Sequence, residues 1–363
     1  KNVGSLSRFF GKLMVSEKYM SFRDDVKAII NKIRIVNRVS NTLERMEFSI
    51  KNFFLPLSIL ESLGLKFLGV IDGHDIEELT NTFNKVKDME GPIFIHIKTQ
   101  KGKGYSFAEK DQEKFHGISP FDMKTGSIPS KTKTYSSILG EEMVKLGEED
   151  ENIYAISAGM VKGTGLGEFF EKFPKRAVDV GIAEGHAVTF AGGLASMGKK
   201  PYVAIYSTFM QRGFSQLIHD ISIQKLPVRF IIDRAGIVGE DGKTHNGLYD
   251  ISIFTTIPNY TVIAPTTCNE LIEALEISKD FDDGPIAIRI PREISFSLEN
   301  DEKFQIGKWK EIKKGEKTLF IATGSMLKEI LSIDEQLKSK KIDGTIVSAA
   351  SVKPLDEKYI LGS

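Results

Sequence analysis

The feature that most constrains the fold is an alternation that begins near Tyr135. Helix-like "YSSILGEEMVKLGEED" gives way to the apolar run "IYAIS", and the pattern repeats through "GLGEFFEKF", "RAVDVGI", "GHAVTFAGGLASMG", "PYVAIYS", "MQRGFSQLIHDISIQ" and "LPVRFIID". Strands buried on both faces read as continuous apolar runs, whereas half-exposed strands alternate. Short apolar runs separated by helical patterns therefore predict an α/β fold, a parallel sheet with helices on both faces. The series continues through "YTVIAP", a helix carrying "CNELIEALEISK", and "PIAIRIP". After a polar connection over 293–317, "TLFIATGSMLKEILSIDEQL" and "GTIVSAASVKPLD" read as the start of a smaller α/β domain.

Upstream, residues 22–54 carry spaced Ile, Val, Leu and Met among Lys, Arg and Asn, the pattern of amphipathic helices. "LKFLGVIDGHDIEELTNTFNKV" predicts a strand, a turn at Asp72 and Gly73, and a helix with an acidic first turn; "IFIHIKT" is a second strand, followed by the glycine-rich "QKGKGYSFAEKD". Scattered Pro, Gly, Ser and Lys over 115–132 suit a linker, so domains are expected at 1–132, 133–305 and 306–363.

With 363 residues the chain exceeds one ordinary core. Its 49 basic and 49 acidic residues balance, which gives no electrostatic reason to expect a nucleic acid or an anionic membrane as partner. No apolar run approaches the roughly 20 residues of a membrane helix. The single cysteine, Cys268, excludes an internal disulfide and fits a cytoplasmic setting. The chain begins without methionine in what reads as mid-domain and is expected to be incomplete at both ends.

Open parallel sheets bind ligands beyond the carboxyl ends of their strands. Four such loops here carry unusual polar residues. The first holds Glu184, a carboxylate in an apolar run, which costs several kcal/mol unless it is paired or takes up a proton; alternatively it is a surface glutamate favoured by the helix dipole. The second, "STFMQRGFSQ" after Tyr206, offers Phe209 and Arg212, with Ser207 or Thr208 as helix caps. A cation in the first turns opposes the dipole, so Arg212 calls for an anionic partner. The third, "RAGIVGEDGKTHNG", folds tightly around Arg234, Asp241 and His245. The fourth presents Arg292 after Pro291, a guanidinium suited to phosphate. The six histidines make no credible metal site; "DGHD" at Asp72 to Asp75 is explained by a turn and a helix cap.

"IDGHD", "KGKGY", "AEKDQEKFHG", "IAEGHAVTFAGGLA", "AIYSTFMQRGFSQLIHDISIQKLPV", "DRAGIVGEDGKTHNGLYDIS", "IRIPRE" and "VKPLDE" occur in the order found in 1-deoxy-D-xylulose-5-phosphate synthases, and over essentially its whole length the chain resembles that family. The resemblance implies the thiamin-diphosphate-binding fold of the transketolase superfamily: a diphosphate-binding portion to residue 132, a pyrimidine-binding domain over 133–305, and part of the C-terminal domain from 306. It implies a cytoplasmic homodimer that joins pyruvate to D-glyceraldehyde 3-phosphate with loss of carbon dioxide, using thiamin diphosphate and Mg²⁺, in the first step of non-mevalonate isoprenoid synthesis. By the same resemblance Glu184 shares a proton with the pyrimidine ring of the cofactor. His116 and His245, with Asp241, serve proton transfer and substrate hydrogen bonds. Tyr105 and Phe209 contact the cofactor; Tyr206, Arg212, Arg292 and Arg234 hold the substrate and its phosphate.

Departures from the family pattern are Gly185 in "IAEGH", Gly213 and Ser215 in "QRGFSQ", Glu293 in "PRE" and Ala350 in "AASVKPLD". The family's "GDG…N" element, which holds Mg²⁺ and the diphosphate, is not in this sequence, so no metal ligand is assigned and weak cofactor binding by this chain alone is expected. Another transketolase-like enzyme, a 2-oxoacid dehydrogenase beta subunit and a non-catalytic homologue remain as alternatives.

Overall fold

The computed structural model describes residues 64–112, 115, 120–127, 133–299 and 302–362. The helices expected over 22–54, and His116, lie outside these residues. The chain divides into two units between Ile118 and Ser119.

In the first unit, strands β1 (Lys66–Asp72) and β2 (Ile93–Lys98) pair in parallel around the crossover helix α1 (Ile76–Val86). "DGHD" is the expected turn and cap. The Asp72 carboxylate accepts from the His74 amide at 2.9 Å, Asp75 accepts from the Glu78 amide at 2.9 Å, and His74 Nε2 accepts from the Gln100 amide at 2.7 Å. Tyr105 precedes a short helix, Ser106–Lys110, with its ring against Phe107 and Phe115.

The second unit is built on a seven-stranded sheet. Its strands are β3 (Ile153–Ser157), β4 (Ala177–Asp179), β5 (Lys200–Tyr206), β6 (Arg229–Asp233), β7 (Thr261–Ile263), β8 (Ile286–Arg289) and β12 (Ser351–Lys353), in the spatial order β12-β7-β8-β6-β5-β3-β4. All neighbours are parallel except β12, which is antiparallel to β7. Successive side chains of a strand point to opposite faces. Tyr202, Ala204 and Ile231 accordingly pack under helices α2 (Tyr135–Glu149) and α4 (Cys268–Lys279), while Val203, Ile205, Phe230 and Ile232 pack under α3 (Glu184–Ser196). This two-sided burial is what the uninterrupted apolar runs predict.

A second sheet, ordered β10-β11-β9, comprises β9 (Lys310–Lys313), β10 (Thr318–Ala322) and β11 (Gly344–Ser348). The last part of the chain then returns to the large sheet as β12, so "VKPLD" does not stay within the smaller sheet. A buried polar cluster ties the two sheets together. Glu270, 1% exposed, accepts from the Thr266 amide at 2.7 Å and the Ser348 hydroxyl at 3.1 Å and pairs with Lys310 at 3.2 Å.

Two local expectations change. The helix read over "MQRGFSQLIHDISIQ" is broken: a helical turn at Ser207–Met210, a 3₁₀ turn at Gln211–Gly213, a turn at Phe214–Gln216 and a π-helix at Leu217–Ser222. Ser207 and Thr208 do not cap it, since Tyr206 occupies that position without a side-chain hydrogen bond. No described helix is long and apolar enough to cross a membrane.

Candidate active site

Parallel pairing brings the carboxyl ends of the strands to one edge. Ser157 stands beside Asp179, and Tyr206 beside Asp233. The loops that follow β3, β4, β5, β6 and β8 leave from this edge, and the candidate residues of this unit sit on them.

Glu184 opens α3 and is 3% exposed. The turn before it is pinned by Asp179, whose carboxylate accepts from the amides of Gly159 at 2.7 Å and Gly181 at 2.9 Å. Arg212 Nη1 donates to Glu184 Oε1 at 2.5 Å. The anionic partner that Arg212 needs in its helical turn is thus the glutamate of the adjacent loop, and the guanidinium also lies 4.9 Å from the Phe209 ring centre. The two ends of this pair differ: the Arg212 side chain is 55% exposed, the Glu184 side chain 3%. Arg212→Ala is therefore expected to destabilise the protein by roughly 2 kcal/mol, below the about 3–5 of a fully buried pair, because it strands a buried carboxylate. Glu184→Ala releases Arg212 to water at smaller cost. Chemical denaturation of both variants checks the asymmetry; equal losses would contradict it.

Gly185 is close to Gln216. A Cβ there would stand 3.2 Å from the Gln216 amide, so a side chain at this position requires Gln216 to give way. Gln216 Oε1 is buried and finds no hydrogen-bond partner among the described residues.

Phe209 stacks on Tyr206 at 5.8 Å and meets the edge of His245 at 5.3 Å, which joins Glu184 and Arg212 to the remaining candidates. Burial raises the Tyr206 phenol above its ordinary pKa. The Arg234 guanidinium lies 4.1 Å from the Tyr206 ring centre. Its Nη1 donates to Asp233 Oδ2 at 2.8 Å and to the Gly163 carbonyl at 2.5 Å. Gly163 is required there, because a Cβ would collide with the Tyr206 hydroxyl. Arg234 has φ +57°, a conformation that costs a non-glycine residue about 1–3 kcal/mol and persists only where the surroundings impose it. Asp233 imposes it. Fully buried, it accepts from the Arg234 amide at 2.6 Å and the Ser136 hydroxyl at 3.0 Å, and burial pushes its carboxyl up against the opposing effect of Arg234.

Asp241 bridges the two arginines. Its Oδ1 accepts from Arg292 Nη1, and its Oδ2 is 3.6 Å from Arg234 Nε. His245 closes a 3₁₀ turn with Nδ1 3.0 Å from the Thr244 hydroxyl.

The second unit thus gathers Glu184, Tyr206, Phe209, Arg212, Arg234, Asp241, His245 and Arg292 into one continuous cluster. Tyr105 belongs to the first unit. Asp233, Ser136 and Gln216 were not among the sequence candidates. For Asp233 a signal existed, an acid ending the apolar run "VRFIID". Among the described residues no group of three or more His, Cys, Asp or Glu could hold a metal ion.

Three family models match the chain: "1-deoxy-D-xylulose-5-phosphate synthase" over residues 1–99, "Transketolase, pyrimidine binding domain" over 131–295, and "Transketolase, C-terminal domain" over 307–363. The 1-deoxy-D-xylulose-5-phosphate synthase of Fusobacterium nucleatum is 59% identical over 99% of this chain and 60% of its own length. That of Clostridium acetobutylicum is 46% identical over 98% of this chain and 58% of its own. The chain therefore spans about 60% of the length of these relatives. Among solved structures, one described as a split gene transketolase, an inactive beta4 tetramer, superposes with TM-score 0.58 at 26% identity over 64% of this chain and 76% of that one. The transketolase of Campylobacter jejuni superposes with TM-score 0.57 at 19% identity over 84% and 59%, a likeness of fold. On these matches the chain is similar to 1-deoxy-D-xylulose-5-phosphate synthases, and over residues 131–295 and 307–363 to the domains of transketolases.

Proposed function

We propose that this chain is a portion of a 1-deoxy-D-xylulose-5-phosphate synthase, which decarboxylates pyruvate and joins the remaining two carbons to D-glyceraldehyde 3-phosphate, releasing carbon dioxide. The observation that carries the reading is Glu184, a nearly fully buried carboxylate at a strand-to-helix turn, continuous with an aromatic and cationic cluster.

The residues fit the pyrimidine end of thiamin diphosphate. Glu184 can share a proton with a ring nitrogen through Oε2 while Oε1 stays on Arg212, Phe209 offers a flat apolar wall, and the buried, unsatisfied Gln216 Oε1 calls for a donor near Gly185. When bound, the cofactor supplies an electron sink for cleavage of the carbon–carbon bond of a 2-oxoacid. Within the chain, Glu184 holds the proton at the heterocyclic nitrogen, and His245 and Asp241 orient the substrate hydroxyls and exchange protons with them. Arg234 and Arg292 hold the phosphate, and Tyr206 walls the pocket between them and Phe209. Mg²⁺ is assigned to no residue of this chain, and no step is drawn through it.

Homodimerisation is part of the same proposal. It is supported by large apolar side chains exposed close in sequence to these residues: Ile182 at 85%, Ile237 at 84%, Leu248 at 59% and Tyr249 at 60%. Pyruvate-dependent release of carbon dioxide, assayed with and without D-glyceraldehyde 3-phosphate, tests the substrate assignment. The aldehyde is expected to accelerate release; a rate indifferent to it points to another transketolase-like enzyme.

A further inference from the structure

We propose that Asp250 and Arg289 are positioning residues, whose ion pair sets the spacing between the loop after β6, which carries Asp241 and His245, and the loop after β8, which carries Arg292; for the ligand those loops hold, this rests on the substrate assignment above. Asp250 stands in "NGLYDIS", five residues after His245, and Arg289 in "IRIPRE", three residues before Arg292. Neither residue has a part in the chemistry proposed for the site.

The pair is buried and two-pronged. Asp250 opens the helix Asp250–Thr256 with its side chain 2% exposed, and Arg289 ends β8 with its side chain 14% exposed. Arg289 Nε donates to Asp250 Oδ2 at 2.8 Å and Nη2 stands 3.5 Å from Oδ1, so the contact fixes an angle as well as a distance. Desolvation offsets most of the Coulombic gain of such a pair, and well-packed apolar residues of similar volume would stabilise the fold as well. What apolar residues would not supply is the fixed geometry.

That geometry lies between two site loops with little slack. Arg292 follows Arg289 through Ile290, fully buried with its amide donating to the Ile232 carbonyl of β6 at 2.8 Å, and through the fixed ring of Pro291. The loop after β6 is pinched at its neck, where Gly236 and Gly247 exchange amide-to-carbonyl hydrogen bonds at 2.8 Å each, and Asp250 lies just past that neck. The two loops meet again at their far ends, where Asp241 accepts from Arg292. Asp250–Arg289 is thus the base rung of a ladder whose tip rung is Asp241–Arg292. The turn after β10 also reaches the base, since a Cβ on Gly324 would stand 3.3 Å from Arg289 Nη1. The far end of the helix is held separately by Lys353 Nζ, which donates to the carbonyls of Thr255 at 3.0 Å and Ile257 at 2.7 Å.

The test compares wild type with Asp250→Asn, which keeps the shape and loses the charge, Arg289→Lys, which keeps the charge and loses the second prong, and Lys353→Met, which disturbs the far end of the helix. Hydrogen–deuterium exchange read by mass spectrometry follows residues 236–247, with β6 and β8 as internal reference. Asp250→Asn and Arg289→Lys are each expected to speed exchange over 236–247 by about tenfold, and Lys353→Met to leave it at the wild-type rate. The phosphorus-31 linewidth of added inorganic phosphate is the second readout. By charge alone, removing a carboxylate tightens phosphate binding, so a loss of about threefold to tenfold in Asp250→Asn reports a displaced Arg292. Unchanged exchange in both pair variants overturns the positioning role, as does tighter phosphate binding in Asp250→Asn. An equal rise over 236–247 and the two strands marks a loss of global stability and also overturns it; so does an equal effect of Lys353→Met, which assigns the change to anchoring of the helix. Faster exchange confined to 236–247 in a protein that binds no phosphate supports the positioning role and overturns the substrate assignment alone.

Discussion

Glu184→Ala is expected to slow hydrogen–deuterium exchange at the thiazolium C2 of bound thiamin diphosphate by about 10²–10⁴-fold, the range of a lost general acid–base group. The expectation follows from burial and position. Glu184 is 3% exposed at the first turn of α3, and its Oε1 is already committed to Arg212. Alanine removes the oxygen proposed to share the proton and leaves the backbone of the turn in place, because Asp179, not Glu184, ties that turn to the loop after β3. Exchange is read by proton NMR after acid quench on cofactor-loaded protein, with the melting temperature recorded in parallel. Exchange at the wild-type rate would remove Glu184 from the chemistry.

Arg229→Met is expected to be the most damaging substitution for stability, at about 3–5 kcal/mol, because it leaves several carbonyls without a donor at about 1–3 kcal/mol each. Arg229 lies in the central strand β6 with no solvent exposure. Its Nε donates to the Ser278 carbonyl at 2.8 Å, and Nη2 donates to the carbonyls of Lys279 at 3.1 Å and Phe281 at 3.0 Å and to Asp282 at 2.9 Å; Nη1 donates to Pro227. One guanidinium thus satisfies the carbonyls that end α4 and favours the negative end of its dipole. Methionine fills much of the volume and makes none of these bonds. Guanidinium chloride denaturation should show a lower midpoint at an unchanged slope. A loss below 1 kcal/mol would mean that water replaces the arginine without penalty.

Much of the fold was legible in the sequence because burial leaves a local trace. "IYAIS", "PYVAIYS" and "LPVRFIID" are uninterrupted apolar runs, and β3, β5 and β6 are buried on both faces as such runs require. Asp75 announced its helix by standing just before an acidic turn, and it caps that helix. Glu184 was visible as the one acid in an apolar stretch. Other features left no local trace. The π-helix at Leu217–Ser222 interrupts a sequence whose spacing suits an ordinary helix, since the shift from i−4 to i−5 bonding is set by what packs around it. Ser207, a fitting cap by residue type, has instead a buried hydroxyl without a partner among the described residues.

The sequence by itself determined that this unit is a parallel α/β sheet with its polar residues on the strand-to-helix loops, because side-chain burial has a period that neighbouring residues reveal. Only the tertiary structure decided the strand order, the return of Ser351–Lys353 to the edge of the large sheet, and the pairings of Glu184 with Arg212 and of Asp241 with both Arg234 and Arg292. These join residues 28 and 51 positions apart between Glu184 and Arg212 and between Asp241 and Arg292. Such contacts depend on which strands lie side by side and on how a charge, once withdrawn from water, finds its counter-ion, and neither is encoded in the spacing of residues along the chain.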